Sequence, residues 1–413
     1  MRRFSRTLTG LFVVAVCLAL VILWPRPPFG EGPRASSGDP PREQREVAFV
    51  SNSVEGTVSI IDLAEARLLH TLNIAPDGLA VGFWRDPLQW VGQSVLERRA
   101  GRNYAQDTDL SRDGTVLFVS RGYLGDVIAM DIANGSILWR RAVSGVRSDH
   151  MALSHDGERL YVSTLIGSGD RLQVLDSASG EVIGEFRAGR WPHDVWVSPD
   201  DERVYVASLG DMLAGLDERG AQNNAYTITI AETESLSVLQ RHQFAAGVRP
   251  FEPLHSESTL FVQLSNTHDI IRFDTQSGDV TQVLTLPVDD GVTDADWDFE
   301  APHHGLAITA DETRLCIAGR ASDYAAIVST GVGADGQDSM PMGLLATVDT
   351  GDAPSWAAVS ADGGTCVLPN TRSDDVSLVN LNSHMERVRV PVGRGPKHVT
   401  VGFINASLFD AGP

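Results

Sequence analysis

Cysteine is almost missing from this chain. Three occur in 413 residues, and Cys17 sits in an apolar N-terminal run, so only Cys316 and Cys366 serve the remainder. No CxxCH pair is present for covalent haem attachment. Basic charge is scarce as well. Lys and Arg total 33 against 54 Asp and Glu, a formal net charge of -21, which excludes the basic footprint that nucleic-acid binding requires. Such a balance describes an acidic, well-solvated exterior. Local catalytic motifs are missing too: there is no GxSxG elbow, no glycine-rich phosphate loop opening a helix and no HExxH.

What is present is repetition. Seven copies of one strand occur: VAFVSN at Val47–Asn52, VLFVSR at Val116–Arg121, RLYVST at Arg159–Thr164, RVYVAS at Arg203–Ser208, TLFVQL at Thr259–Leu264, RLCIAG at Arg314–Gly319 and TCVLPN at Thr365–Asn370. A period of roughly 40–55 residues marks an array of like supersecondary units. A strand ending in a Ser-x-Asp turn precedes most copies, as in HDVWVSPDD from His193. A third strand follows, often ending in Asp, as in RLQVLDS from Arg171, and then a Gly- or Asn-bearing turn and a fourth strand. These runs read as hairpin-joined strands. Four antiparallel strands per unit, radially repeated, make a β-propeller. The first unit lacks its leading strand, and KHVTVGF at Lys397–Phe403 supplies that form with no unit after it. The expected fold is all-β: a seven-bladed propeller closed by the C-terminal strand in the first blade, which removes an exposed edge.

The wording PHDVWVSPDDERVYVAS…LQVLDSASGEV resembles the YVTN-type propeller repeat of bacterial extracytoplasmic proteins, and the resemblance covers nearly everything from Val47 to Phe403. It implies the fold and leaves function open. Two kinds of relative with chemistry are the propellers of haem-containing nitrite reductases and the lactonases of sugar-acid metabolism.

Arg2, Arg3 and Arg6 precede the apolar run Leu8–Trp24. That run is just long enough for a bilayer and longer than most signal-peptide cores. Residues 1–24 are read as an uncleaved anchor or a signal peptide, with the basic end inside and everything beyond it in the periplasm or at the cell surface. The Pro- and Gly-rich residues 25–46 read as a linker, 47–403 as the propeller and 404–413 as a tail. The membrane is contacted through the N-terminal segment alone. In an oxidising compartment Cys316 and Cys366, in the second strands of neighbouring blades, are expected either to form a disulfide or to serve as two buried small apolar side chains. Against the disulfide stands the spacing of about 10 Å between stacked sheets.

In a propeller the innermost strands line a central funnel. Counting back from each turn places Gln106, Asp149, His193, Phe251, His304, Ser355 and Lys397 at its rim, with His150, His303, His398, Trp191, Trp297 and Trp356 beside them. A concave place with convergent polar and aromatic groups is a binding site by default, and Asp149, His193, His304, Trp191, Lys397 and Gln106 are the candidates. His193 and His304 are also candidate metal ligands. So are Asp294, Asp296 and Asp298, which alternate with Trp297 in DADWDFEAPHH and offer oxygen donors. Three insertions stand out: Ala75–Tyr104, where Trp90, Val91, Val95 and Leu96 suggest a short helix, Leu209–Ala225 and Gly331–Met342. The first reading of function is a non-catalytic binding or scaffolding module for a protein or small-molecule ligand, with no cofactor specified. The alternatives are a periplasmic redox protein holding a cofactor or metal, and a lactonase-type hydrolase.

Overall fold

The computed structural model describes residues 43–80, 86–167, 170–212, 214, 225–293, 296–297, 301–333 and 340–409. The chain divides into two units, and Glu43–Pro413 is the one described. The apolar run Leu8–Trp24 lies outside the described residues. Among those residues, no helix is long and apolar enough to cross a membrane.

Seven four-stranded antiparallel sheets follow one another along the chain. The second and third strands of each blade are near-continuous buried runs, because neighbouring blades cover both faces. Val47–Asn52 of the first blade is wholly buried, whereas the outermost strand Ile137–Ala142 of the second blade alternates between half-buried and exposed. The interfaces between blades are apolar. Val47, Phe49, Val58 and Ile60 of the first blade pack on Leu117, Val119, Ile128 and Met130 of the second. Each such side chain contributes about 1.5–3 kcal/mol by leaving water.

The Ser-x-Asp turns set the register between first and second strands. Ser198 Oγ donates to Asp200 Oδ1 at 2.6 Å and accepts from the Arg203 N–H at 2.9 Å. Ser154 with Asp156 and Ser360 with Asp362 repeat the pattern. The ring closes in the first blade. Its innermost strand is Pro396–Asn405, paired with Gln44–Asn52 from Gln44↔Asn405 to Asn52↔Pro396.

A disulfide joins Cys316 to Cys366 across the sixth and seventh blades, with Cα atoms 6.3 Å apart. The 10 Å spacing of face-packed sheets does not hold here. Blades converge toward the axis, and the two second strands, close to it, share one apolar cluster. The insertion after the first blade forms the α-helix Pro87–Ala100, capped by the Asp86 carboxylate accepting from the Gln89 N–H at 2.9 Å. Trp90, Val91 and Val95, which suggested the helix, face solvent. It docks through amides instead: Gln89 Nε2 donates to the Tyr123 and Val146 carbonyls, and Gln93 Nε2 to that of Leu79. A Cβ on Gly92 would stand 2.4 Å from Val146 Cγ1, so the close approach requires glycine there.

Two outcomes follow from this architecture. A chain ending at Gly395 loses the closing strand and leaves the Gln44–Asn52 edge unpaired; it is expected to aggregate or to melt far below the full chain in calorimetry, and an unchanged melting temperature would refute closure. The disulfide spans a sequence separation of 50 residues. Replacing Cys366 by Ala should lower the unfolding free energy by about 2–4 kcal/mol, read from denaturant melts under oxidising conditions.

Candidate functional site

The site begins with a regularity of the turns. In six blades one turn residue bonds its N–H back to the second strand: Ser111, Ser154, Ser198, Leu254, Thr309 and Ser360. Five positions upstream stand Gln106, Asp149, His193, Arg249, His304 and Ser355, and Lys397 is their counterpart in the closing strand. The expected rim differs at one place. Counting from Ser256 gave Phe251, but the fifth-blade turn is made by Leu254. Phe251 is therefore core, and Arg249 takes the rim position.

Gln106, Asp149, Trp191, His193, His304 and Lys397 all line one cavity of about 240 Å³. The innermost strands are bulged at their starts. Ladder pairing jumps between Ser148 and Met151, between Pro192 and Val195 and between Val248 and Phe251, and it shifts opposite Pro396 and His398. A bulge breaks the alternation of faces. Residues next to the rim set thereby reach the axis as well. One step deeper lie Asp107, His150, Asp194, Gly305, Trp356 and His398.

Trp356 fills the centre of this deeper layer. Its ring centroid lies 4.6 Å from that of His150, 4.4 Å from His398 and 5.5 Å from His304. Gly305 permits this packing. Its φ is +146°, and a Cβ there would stand 2.5 Å from Trp356 Cα. The imidazoles of His150 and His193 meet edge to face at 4.4 Å, and those of His193 and His304 lie 5.8 Å apart.

Cations dominate the upper cavity. Arg102, Arg147, Arg249, Arg320 and Lys397 line it, and among the described lining residues Asp149 is the only carboxylate. Arg147 Nη2 donates to Asp149 Oδ1 at 2.8 Å and to Gln106 Oε1 at 2.9 Å, and Lys397 Nζ to Gln106 Oε1 at 3.0 Å. Burial opposes ionisation of Asp149, but Arg147 and His193 hold its carboxyl well below the usual range. His193 Nδ1 donates to Asp149 Oδ2 at 2.7 Å. Burial and the neighbouring His150 push the His193 imidazole down to about 3, so it is neutral, and its Nε2 has no hydrogen-bond partner among the described residues. Burial and Arg147 bring Lys397 down to about 7. His304 donates from Nδ1 to the Ser355 carbonyl at 2.8 Å, and burial with Arg249 holds it well below its ordinary value.

A second cavity of about 380 Å³ opens at the other end of the innermost strands. It is acidic. Asp107, Asp109, Asp194 and Glu252 line it together with His150 and His398. Burial raises Asp109 and Asp194 to about 6 and Glu252 well above its ordinary value.

The remaining sequence candidates lie elsewhere. Asp294 and Asp298 fall outside the described residues. Asp296 is exposed and accepts from the Thr293 N–H and hydroxyl. His193 comes within metal-sharing distance of Asp149 and His150, while His304 joins no such group among the described residues. The sequence reading missed Arg147, Arg249 and Arg320. Arg147 stands two positions before Asp149 on the same strand, a signal that alternation could have used; Arg320 directly follows the repeated strand RLCIAG.

With this geometry in view, comparisons with known proteins bear chiefly on the fold. A family model for the outer membrane protein assembly factor BamB matches residues 83–196. No curated protein matches the chain. Among solved structures, a protein from Lactobacillus plantarum is similar at 16% identity and TM-score 0.61, over 87% of this chain and 100% of that one. The Cps50 (Swd1) β-propeller domain of Myceliophteria thermophila follows at 12% identity and TM-score 0.53, over 71% and 88%. Hydrazine synthase of Kuenenia stuttgartiensis aligns at 21% identity over 67% and 95%, with TM-score 0.45. The chain is thus similar to BamB-type repeats over its second and third blades and to a β-propeller domain over 71% of its length.

Proposed function

We propose that this protein is an extracytoplasmic binding propeller whose funnel holds a small anionic ligand. One observation carries the reading: within a chain of net charge -21, four arginines, Lys397 and, among the described lining residues, one carboxylate face the same 240 Å³ cavity. Arginines present fixed forks for carboxylate or phosphate oxygens. The low-dielectric walls of a cleft focus that field and raise the local concentration of anions. Trp191 and Tyr123, with Leu165, Leu209 and Met212, supply the apolar part of the lining. A location outside the cytoplasmic membrane accords with the Arg-led run Leu8–Trp24, with the disulfide and with the BamB similarity. The YVTN-like wording of the repeat points the same way.

Lys397 makes the ligand reading testable, because it is the only lysine in the sequence. Mono-, di- and tricarboxylates and inorganic phosphate should be compared with their neutral amide or ester counterparts by thermal shift, since a ligand held only by the native state raises the melting point. An anion is expected to raise it and its neutral counterpart not. The best anion should also slow acylation of Lys397, read by mass spectrometry. Lys397→Met should weaken that anion by about 10- to 100-fold, the loss of one charged hydrogen bond. Equal shifts from neutral compounds, or unchanged affinity in the variant, would refute the reading. For location, a reporter fused after Pro413 should be active only outside the cytoplasmic membrane; activity in the cytoplasm would overturn that part.

A further inference from the structure

The acidic mouth carries a feature that anion binding does not use. Asp107, His150 and His398 come from the innermost strands of three consecutive blades: the second, the third and the first, whose innermost strand is the C-terminal one. His398 Nδ1 lies 2.7 Å from Asp107 Oδ1, and His150 Nδ1 lies 3.4 Å from Asp107 Oδ2. Donor atoms of the three residues lie within 4.8 Å of one another, and all three side chains are more than nine-tenths buried. We propose that Asp107, His150 and His398 hold one divalent first-row transition-metal ion, such as Zn²⁺, at the acidic mouth of the propeller channel.

Three observations favour an ion over a hydrogen-bonded cluster. First, the Nδ1 atoms of His398 and His150 and the two oxygens of the Asp107 carboxylate face one another in a single buried cluster, at 2.7 and 3.4 Å. Donors sharing one tetrahedral ion through bonds of about 2.0–2.2 Å stand roughly 3.4 Å apart, the separation of His150 Nδ1 from Asp107 Oδ2 at 3.4 Å. Second, the ligands are already held. Asp107 Oδ1 accepts from the Thr108 N–H at 2.6 Å and Oδ2 from the Met151 N–H at 2.7 Å, while Trp356 stacks on His150 and packs tilted against His398. Such outer contacts orient ligands in metal sites. Third, the surroundings lack positive charge. Among the described residues lining this cavity, Arg112 is the only Lys or Arg, and it is engaged with the Leu153 and Ser154 carbonyls. A cation there is stabilised by Asp109 and Asp194 as well as by its ligands. Two imidazoles and one carboxylate suit Zn²⁺, Fe²⁺, Ni²⁺ or Cu²⁺ better than Ca²⁺ or Mg²⁺, which prefer oxygen.

Binding through Nδ1 requires His150 to carry its proton on Nε2, which lies 3.3 Å from Gln106 Nε2. The amides can supply an acceptor there. The Asn103 side chain satisfies its neighbours better reversed, its oxygen then facing Arg147 Nη2 and Lys397 Nζ at 3.3 and 3.1 Å. Turning its own oxygen toward His150 costs Gln106 the bonds from Arg147 and Lys397, which the reversed Asn103 oxygen then accepts.

The test uses the full chain, stripped with a chelator and titrated with Zn²⁺ by calorimetry, with metal content counted by mass spectrometry. One Zn²⁺ per chain is expected. Loss of an outer-shell contact typically costs 10- to 100-fold in metal affinity, so His398→Gln, which removes a ligand, should weaken binding by about 100-fold or more. No uptake by the stripped protein, or unchanged affinity in His398→Gln, overturns the proposal. Should that variant fail to fold, electron paramagnetic resonance of Cu²⁺-loaded His193→Gln, which removes the neighbouring Asp149–His150–His193 group, decides: two coordinated imidazole nitrogens support the site and fewer overturn it. The outcome is separable from anion binding, because thermal shifts with carboxylates read the opposite mouth.

Discussion

A radial array leaves each innermost strand with one edge that no neighbouring strand can reach. Buried N–H and C=O groups on such an edge still need partners, and side chains from the adjacent blade provide them. Asp107 takes the Met151 N–H, Asp109 that of Leu153 and Asp194 that of Phe251. Ser163 Oγ donates to the His193 carbonyl, and Gln263 bonds both the N–H and the C=O of Gly305. The hub is polar because the open backbone edges demand it. That demand concentrates carboxylates, amides and imidazoles on the axis, where a site can then form.

The same hub separates two electrostatic worlds. Above the Trp356 layer the lining is cationic, and below it acidic, with neutral or partly charged imidazoles between. Water is largely excluded from that layer, so the opposed charges are weakly screened across it. Each end therefore keeps its own preference for the sign of what enters. A single residue step along the innermost strands, from Gln106 to Asp107 or from Lys397 to His398, crosses from one regime to the other, and the bulges at the strand starts are what let both residues of a step face the channel.

Much of this was legible in the sequence. The seven repeats, the four-strand unit and the closing strand followed from turn chemistry that recurs at fixed offsets, because Ser-x-Asp turns fix register locally. The six rim candidates are brought together on one cavity for the same reason. What escaped were features without a local signature. Leu254 makes the fifth turn in place of Ser, so Arg249 was displaced by Phe251 in the count. Arg320 reaches the funnel from the end of a second strand, outside any innermost-strand tally. The helix Pro87–Ala100 docks by Gln89 and Gln93, whereas a reading of apolar periodicity pointed to Trp90 and Val95. The 6.3 Å approach of Cys316 and Cys366 depends on how blades converge, a property of the ring rather than of either strand.

The antiparallel pairing that seals the first blade has a directional corollary. Pro396 opens the closing strand at the cationic end, so Asn405 finishes it at the acidic end, opposite Gln44. The Ala406 N–H reaches the Glu43 carbonyl beside them. Both ends of the described propeller thus emerge together beside the acidic mouth. A support, tag or bead attached through either one crowds that opening and leaves the arginine-lined entrance facing outward, which makes end-on immobilisation a natural geometry for presenting soluble anions to the funnel.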